Sequence, residues 1–183
     1  RLRSRGLGDV YKRQDMACGP KYFTYINQEL PTLCRRFFGI QPVPERTYIM
    51  GLSMGGYGAM KCAFTAPQQY AGCAGFSSVA EIRAELPQLC RWHEDQAIFP
   101  HGIVPPQDDL FDLVEKFRDG TCPMPRLFLA CGQQDSLYPA NLRLRDTLQA
   151  MNWPLTWYEA PGDHNWFFWN DALGRAMKEL LEN

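Results

Sequence analysis

Ser53 stands in Gly51-Leu52-Ser53-Met54-Gly55, a G-x-S-x-G pattern followed by two more glycines, Gly56 and Gly58. A short apolar run over residues 47–52 ends at this point, and a small-residue, helix-compatible segment, Met54–Thr65, follows it. A serine on such a tight strand-to-helix turn projects its hydroxyl above the sheet as a nucleophile. Glycine is expected at Gly51 and Gly55 because a Cβ at either would collide with neighbouring backbone. The helix that starts here aims its first amides at the site and favours developing negative charge. The Met54 N–H is then the expected oxyanion donor.

A serine hydroxyl alone is a weak nucleophile and needs a base oriented by an acid. The histidines are His93, His101 and His164. His93 and His101 lie in a proline-rich stretch and read as structural. His164, in the turn PGDHNW, follows a strand candidate, where a loop could hang the imidazole over Ser53. The acid is expected on the loop after the preceding strand candidate, and Asp135 lies there, three residues beyond Gly132. Asp163 is the rival, but adjacent residues point different ways. Asp108, Asp109 and Asp112 read as solvated or helix-capping. The chain order Ser, Asp, His suits an α/β architecture. The chemistry is acyl transfer through an acyl-enzyme.

The elements that must position these residues are legible from periodicity. Residues 22–38 carry Phe23, Ile26, Leu30, Leu33 and Phe37 at spacings of three and four, an amphipathic helix despite Pro31. Residues 47–52, 71–77, 126–131 and 155–159 are short apolar runs of buried-strand length. Helices are expected over Met54–Thr65, 141–151 and Trp166–Leu181, the last with Ala172, Ala176 and Leu180 four apart. Strands alternating with helices predict one α/β domain with a mostly parallel sheet. Residues 80–120 are irregular, with a helical piece near 110–117, and read as a cap-like insertion over the carboxyl ends of the strands.

Composition narrows the classes. The chain has 183 residues, 45% of them hydrophobic, enough for one core and too short for two ordinary domains. The formal net charge of −1 argues against nucleic-acid binding. No apolar run is long enough to span a membrane. Seven cysteines, an odd number without C-x-x-C spacing, favour a reducing, cytoplasmic setting. No G-x-G-x-x-G follows a first strand, which removes dehydrogenase-like cofactor binding. Neither a metal nor a cofactor is expected, and homo-oligomerisation is left open. Residues 1–14, RLRSRGLGDVYKRQ, hold five basic groups and one acidic group, leaving 14 basic and 19 acidic groups beyond them. The string resembles a translated sequencing-adapter sequence, so the authentic chain is expected to begin near Gln14 or Asp15.

Four segments carry a resemblance: DMACGPKYFTYINQELP (15–31), GLSMGGYGAMKCAF (51–64), CGQQDSLYPAN (131–141) and PGDHNWFFW (161–169). They resemble the putative-esterase branch of the α/β-hydrolases. That branch includes S-formylglutathione hydrolases, tributyrin and acetyl esterases, feruloyl esterases and mycolyltransferases; small bacterial tributyrin-type esterases look most similar. The resemblance implies Ser53 as nucleophile, Asp135 as acid and His164 as base, acting on short-chain acyl esters. A thioester of the S-formylglutathione type and acyl transfer to a sugar are the alternatives. A non-catalytic binding domain on a hydrolase fold is the alternative of another class. Family members often have Asp after the histidine, where this chain has Asn165. They also carry first strands and a His-Gly loop ahead of the matching region, which supplies a second oxyanion N–H. Residues 15–183 therefore read as a hydrolase domain lacking its N-terminal strands, with an exposed sheet edge and impaired activity. Trp92, Phe99 and Trp166 are candidates for lining the substrate pocket, with core packing the competing reading for each.

Overall fold

Five-residue and longer apolar runs, separated by helical stretches, leave the chain one economical arrangement: parallel strands joined by helical crossovers. The computed structural model describes residues 15–16, 19–89 and 98–182. Strands β1 (Tyr48–Leu52), β2 (Gly72–Phe76), β3 (Arg126–Gly132) and β4 (Leu155–Ala160) form one sheet in the order β1-β2-β3-β4. Every neighbouring pair is parallel, with Ser53 following the β1 residue that faces Phe76. The chain begins in a helical segment, α1 (Tyr22–Thr24), a π turn (Tyr25–Glu29) and α2 (Leu30–Phe38). The wider turn falls where the Pro31 ring would otherwise meet the Asn27 carbonyl. Helix α3 (Met54–Thr65) joins β1 to β2, α4 (Ile82–Leu89) and α5 (Leu110–Glu115) lie between β2 and β3, α6 (Tyr138–Ala150) joins β3 to β4, and α7 (Trp166–Leu181) closes the chain.

Both faces of the sheet are covered, so its central strands are apolar on both sides. Cys73, Leu127 and Leu129 share a core with Met60, Phe64, Leu144 and Leu148 from α3 and α6. The alternate residues Ala74, Phe76, Phe128 and Ala130 face α7. The four-residue spacing on α7 is what packs there: Ala172, Ala176 and Leu180 are buried with Phe168 and Trp169. Helix α3 is apolar nearly all round, as an internal helix must be.

The described residues of the 80–120 stretch are anchored in the core. Ile82, Phe99, Leu110, Val114 and Phe117 belong to the same core as α3. Asp108, expected to be solvated or capping, is instead buried and ion-paired with Lys61 of α3. The Tyr57 hydroxyl donates to the Asp108 carbonyl at 2.7 Å. A buried lysine requires such a partner, because an unpaired charge there would be strongly destabilising. Asp109 is a true N-cap, accepting from the Phe111 and Asp112 amides.

Among the described residues, β1 pairs only with β2 and forms a sheet edge. A trough of about 770 Å³ runs beside it, lined by Tyr22, Ile26, Ile49, Leu52 and Ala59 among others. Phe37, Phe38 and Ile40, at the end of α2, are exposed. No described helix is long and apolar enough to cross a membrane.

Candidate active site

Ser53 occupies the turn between β1 and α3 with φ 55° and ψ −123°, a left-handed conformation that a non-glycine residue holds only under constraint. The constraints are backbone hydrogen bonds. Its N–H donates to the Phe76 carbonyl at 2.8 Å. Its carbonyl accepts from the amides of Gly56 at 3.0 Å, Tyr57 at 3.2 Å and Val79 at 3.3 Å. A Cβ at Gly51 would overlap the Gly55 carbonyl, as the motif requires. Gly55 itself has open space around its Cα, contrary to the expectation for it; Gly56 is the second constrained position, pressed against the Ser78 side chain. Met54 is the first residue of α3, so its N–H has no partner within the helix and lies beside the Ser53 hydroxyl's residue.

The three side chains singled out by sequence converge. His164 Nε2 lies 3.0 Å from Ser53 Oγ, across 111 residues of chain. His164 Nδ1 lies 2.9 Å from Asp135 Oδ2. Asp135 is 3% exposed, and its other oxygen accepts from the Leu137 amide at 2.9 Å. Burial pushes its carboxyl pKa up, but hydrogen bonds from His164, Ser77 and the Leu137 amide outweigh that and hold it below the ordinary aspartate value. The carboxylate is therefore ionised at neutral pH; in the tautomer that carries its proton on Nδ1, His164 donates to Asp135 and Nε2 can accept from Ser53.

Two loops carry Asp135 and His164, and they are locked to each other. The Gln134 amide donates to the Gly162 carbonyl at 2.9 Å, and the Gly162 amide donates to the Gln134 side-chain oxygen at 2.6 Å. Gly132 permits this crossing, since a Cβ there would overlap the Gly162 carbonyl. Asp163, the rival acid, is exposed and turns to its neighbour's backbone, accepting the His164 amide at 2.7 Å. Asn165 caps α7, accepting from the amides of Phe167 at 3.0 Å and Phe168 at 3.3 Å. An Asn does this as well as an Asp.

The remaining candidates separate. His101 sits on an exposed 3₁₀ turn, Pro100–Gly102. Phe99 is 2% exposed inside the main core, so it packs rather than lines an open pocket. Trp166 is 62% exposed and stacks edge-on against Trp169. Trp92 and His93 lie outside the described residues, as does the segment 1–14. Ser77, Asn141 and Trp169 went unnoticed in the sequence. Asn141 accepts the Ser78 amide at 3.2 Å and donates to the Ser78 carbonyl at 2.8 Å. Trp169 stands edge-on to the His164 ring, 4.9 Å between centroids. Ser77 ends the strand candidate 71–77, and Asn141 and Trp169 end two of the segments that carry the resemblance, 131–141 and 161–169. Among the described residues, no group of three or more His, Cys, Asp or Glu is disposed to hold a metal.

Residues 10–180 match the family described as Putative esterase. The chain belongs to this family. It is 28% identical over 168 residues to an acetyl esterase of Caldicellulosiruptor saccharolyticus, covering 86% of this chain and 63% of that protein. The fold is that of the α/β-hydrolase esterases. A substrate-bound fluorophosphonate-binding serine hydrolase F of Staphylococcus aureus superposes with a TM-score of 0.86 at 28% identity, covering 95% of this chain and 69% of the other. The S-formylglutathione hydrolase of the same organism gives 0.72 at 29% identity, with 87% and 60% covered. The chain thus spans somewhat under two thirds of the acetyl esterase and of the S-formylglutathione hydrolase it matches.

Proposed function

We propose that this chain carries the nucleophile, base and acid of a serine carboxylesterase that hydrolyses short-chain acyl esters. The observation that supports this most is the continuous pair of hydrogen bonds from Ser53 Oγ to His164 Nε2 and from His164 Nδ1 to Asp135. In the proposed cycle, Ser53 Oγ attacks the ester carbonyl carbon as its proton passes to His164 Nε2. The Met54 N–H stabilises the oxyanion. The tetrahedral species collapses, and the imidazolium returns the proton to the departing alcohol oxygen. A water then attacks the acyl-Ser53 carbonyl, giving its proton to His164, and the acid leaves with Ser53 regenerated. Asp135 stays ionised throughout and holds the imidazole in the tautomer this cycle needs.

The test is labelling with a fluorophosphonate probe. Covalent modification of Ser53 is expected, with both labelling and p-nitrophenyl ester turnover lost in Ser53→Ala. Labelling that survives in Ser53→Ala would overturn the assignment. A p-nitrophenyl series of increasing acyl length, run beside an acyl thioester, fixes substrate class, and highest kcat/KM on acetyl or butyryl esters is expected.

The free edge of β1, the trough beside it and the exposed Phe37 and Phe38 support a second element of the proposal. Residues that precede β1 in the longer relatives would cover this side and bring a second oxyanion donor. One such donor changes kcat by about 100- to 1000-fold. Turnover by residues 15–183 alone is expected to be lower, by that factor, than that of the same residues joined to the N-terminal segment of a longer relative; equal turnover would refute it.

A further inference from the structure

Ser77 is wholly buried at the end of β2, with a left-handed φ of 46° that a serine does not adopt without constraint. Its amide donates to the Ala130 carbonyl of β3 at 2.7 Å, which fixes the backbone but does not require a hydroxyl. The hydroxyl has its own work. It accepts the Trp169 Nε1–H at 3.0 Å, and the Cys131 thiol lies 4.0 Å away. A hydrogen bond from the same hydroxyl is among the causes that hold the Asp135 carboxyl below its ordinary value. Trp169, buried on α7, meets the site twice, through this hydrogen bond and through its edge-on contact with the His164 ring. The indole thus ties the base to the support of the acid, across 92 residues of chain.

We infer that Ser77 and Trp169 are positioning residues: Trp169 fixes the rotamer of the Ser77 hydroxyl, which holds the Asp135 carboxylate in line with His164 Nδ1. This rests on the proposed roles of Ser53, His164 and Asp135. Neither residue supplies a group that reacts, and Trp169 meets the His164 ring only through its edge-on packing. The effect falls on the geometry of the acid–base pair, which matters when the imidazole takes up charge in the transition state. A hydrogen bond to a buried charged group that is aligned by a second donor is the kind whose loss is felt most.

Glycine is at home at φ 46°, so Ser77→Gly removes the hydroxyl while easing the backbone. Trp169→Phe keeps most of the ring packing and removes only the N–H donor. Both variants and the double variant are made in the full chain, with rates normalised to sites titrated to completion by a fluorophosphonate. Thermal melting checks that each is folded. Ser77→Gly is expected to lower kcat by about 10- to 100-fold with KM within about twofold, since a hydrogen bond to a charged group carries a loss of that size. Trp169→Phe is expected to lower kcat by a smaller factor. Because the two act in one chain, the double variant is expected to be no slower than Ser77→Gly alone.

Multiplicative losses in the double variant, or kcat in Ser77→Gly equal to that of the parent, would overturn the inference. Ser53→Ala run in parallel separates the two levels. If Ser53→Ala keeps its label and turnover, the catalytic assignment itself fails and this inference falls with it. If Ser53→Ala is inert while the Ser77 and Trp169 variants match the parent, only the positioning role is lost.

Discussion

At the scale of single residues, the central demand is that Asp135 stay ionised although it is almost entirely buried. An isolated buried carboxylate would take up a proton, and three hydrogen bonds from His164, Ser77 and the Leu137 amide prevent this. Because the Asp135 pKa is depressed on folding, its contribution to stability is present above the ordinary carboxylate range and is lost only in strong acid, as pH falls through the folded value. Asp135→Asn keeps the shape but places an amide where the Nδ1 proton must be accepted, which favours the wrong imidazole tautomer. A drop in kcat of about 10⁴ is expected, with the variant still folded but melting below the parent at neutral pH, where the ionised carboxylate stabilises the fold. Steady-state kinetics on a p-nitrophenyl ester measure it; a loss below about tenfold would deny Asp135 the role of orienting acid.

At the scale of elements, the turn between β1 and α3 depends on which glycines are spatially constrained. The motif names Gly51 and Gly55 alike, yet only Gly51 faces backbone, at the Gly55 carbonyl. Gly51→Ala must push α3 off β1 and is expected to destabilise the fold by several kcal/mol, as strained overpacking of a core does. Gly55→Ala enters open space in the first turn of a helix, where alanine is favoured over glycine by about 0.5–1 kcal/mol. Chemical denaturation is expected to show the two variants moving in opposite directions. Equal destabilisation would mean that α3 and β1 are not packed in this way. The same turn is tied to the loop after β2 through the Val79 amide on the Ser53 carbonyl.

At the scale of the whole molecule, stability should respond to pH through a group outside the site. Glu85 on α4 has its carboxyl pKa raised to about 7, chiefly by burial; a hydrogen bond from the Glu81 backbone and the Arg143 charge oppose this, and the Glu81 and Asp135 carboxylates add to it. One of its oxygens is buried without a hydrogen-bond partner among the described residues. A carboxyl whose pKa rises on folding favours the folded state most below its unfolded value of about 4.5. That contribution is lost as pH rises toward about 7. Glu85→Gln removes the titration. Its melting temperature is expected to match the parent's near pH 4.5 and to exceed it at pH 8; parallel curves over this range would show that Glu85 is solvated in the fold. The neighbouring Glu81 is paired bidentately with Arg143 on α6, both contacts at 2.5 Å, and keeps its charge satisfied across the same interface.

The local pattern predicts the four strands and the main helices between them, and it singles out Ser53, Asp135 and His164, whose side chains meet in the fold. A strand ending in G-x-S-x-G, an acid on the loop after one strand and a histidine on the loop after the next are each written in a few consecutive residues, and parallel crossovers bring all such loops to one end of the sheet. The tertiary structure alone decided what supports them. Ser77 meets Trp169, Asp108 meets Lys61, Phe99 enters the core and Gly56 rather than Gly55 bears the close contact, because each depends on which side chains face one another after distant segments have packed. Periodicity fixes the face on which a residue lies, whereas its partner across the interface is set by register and by the depth to which each helix settles on the sheet.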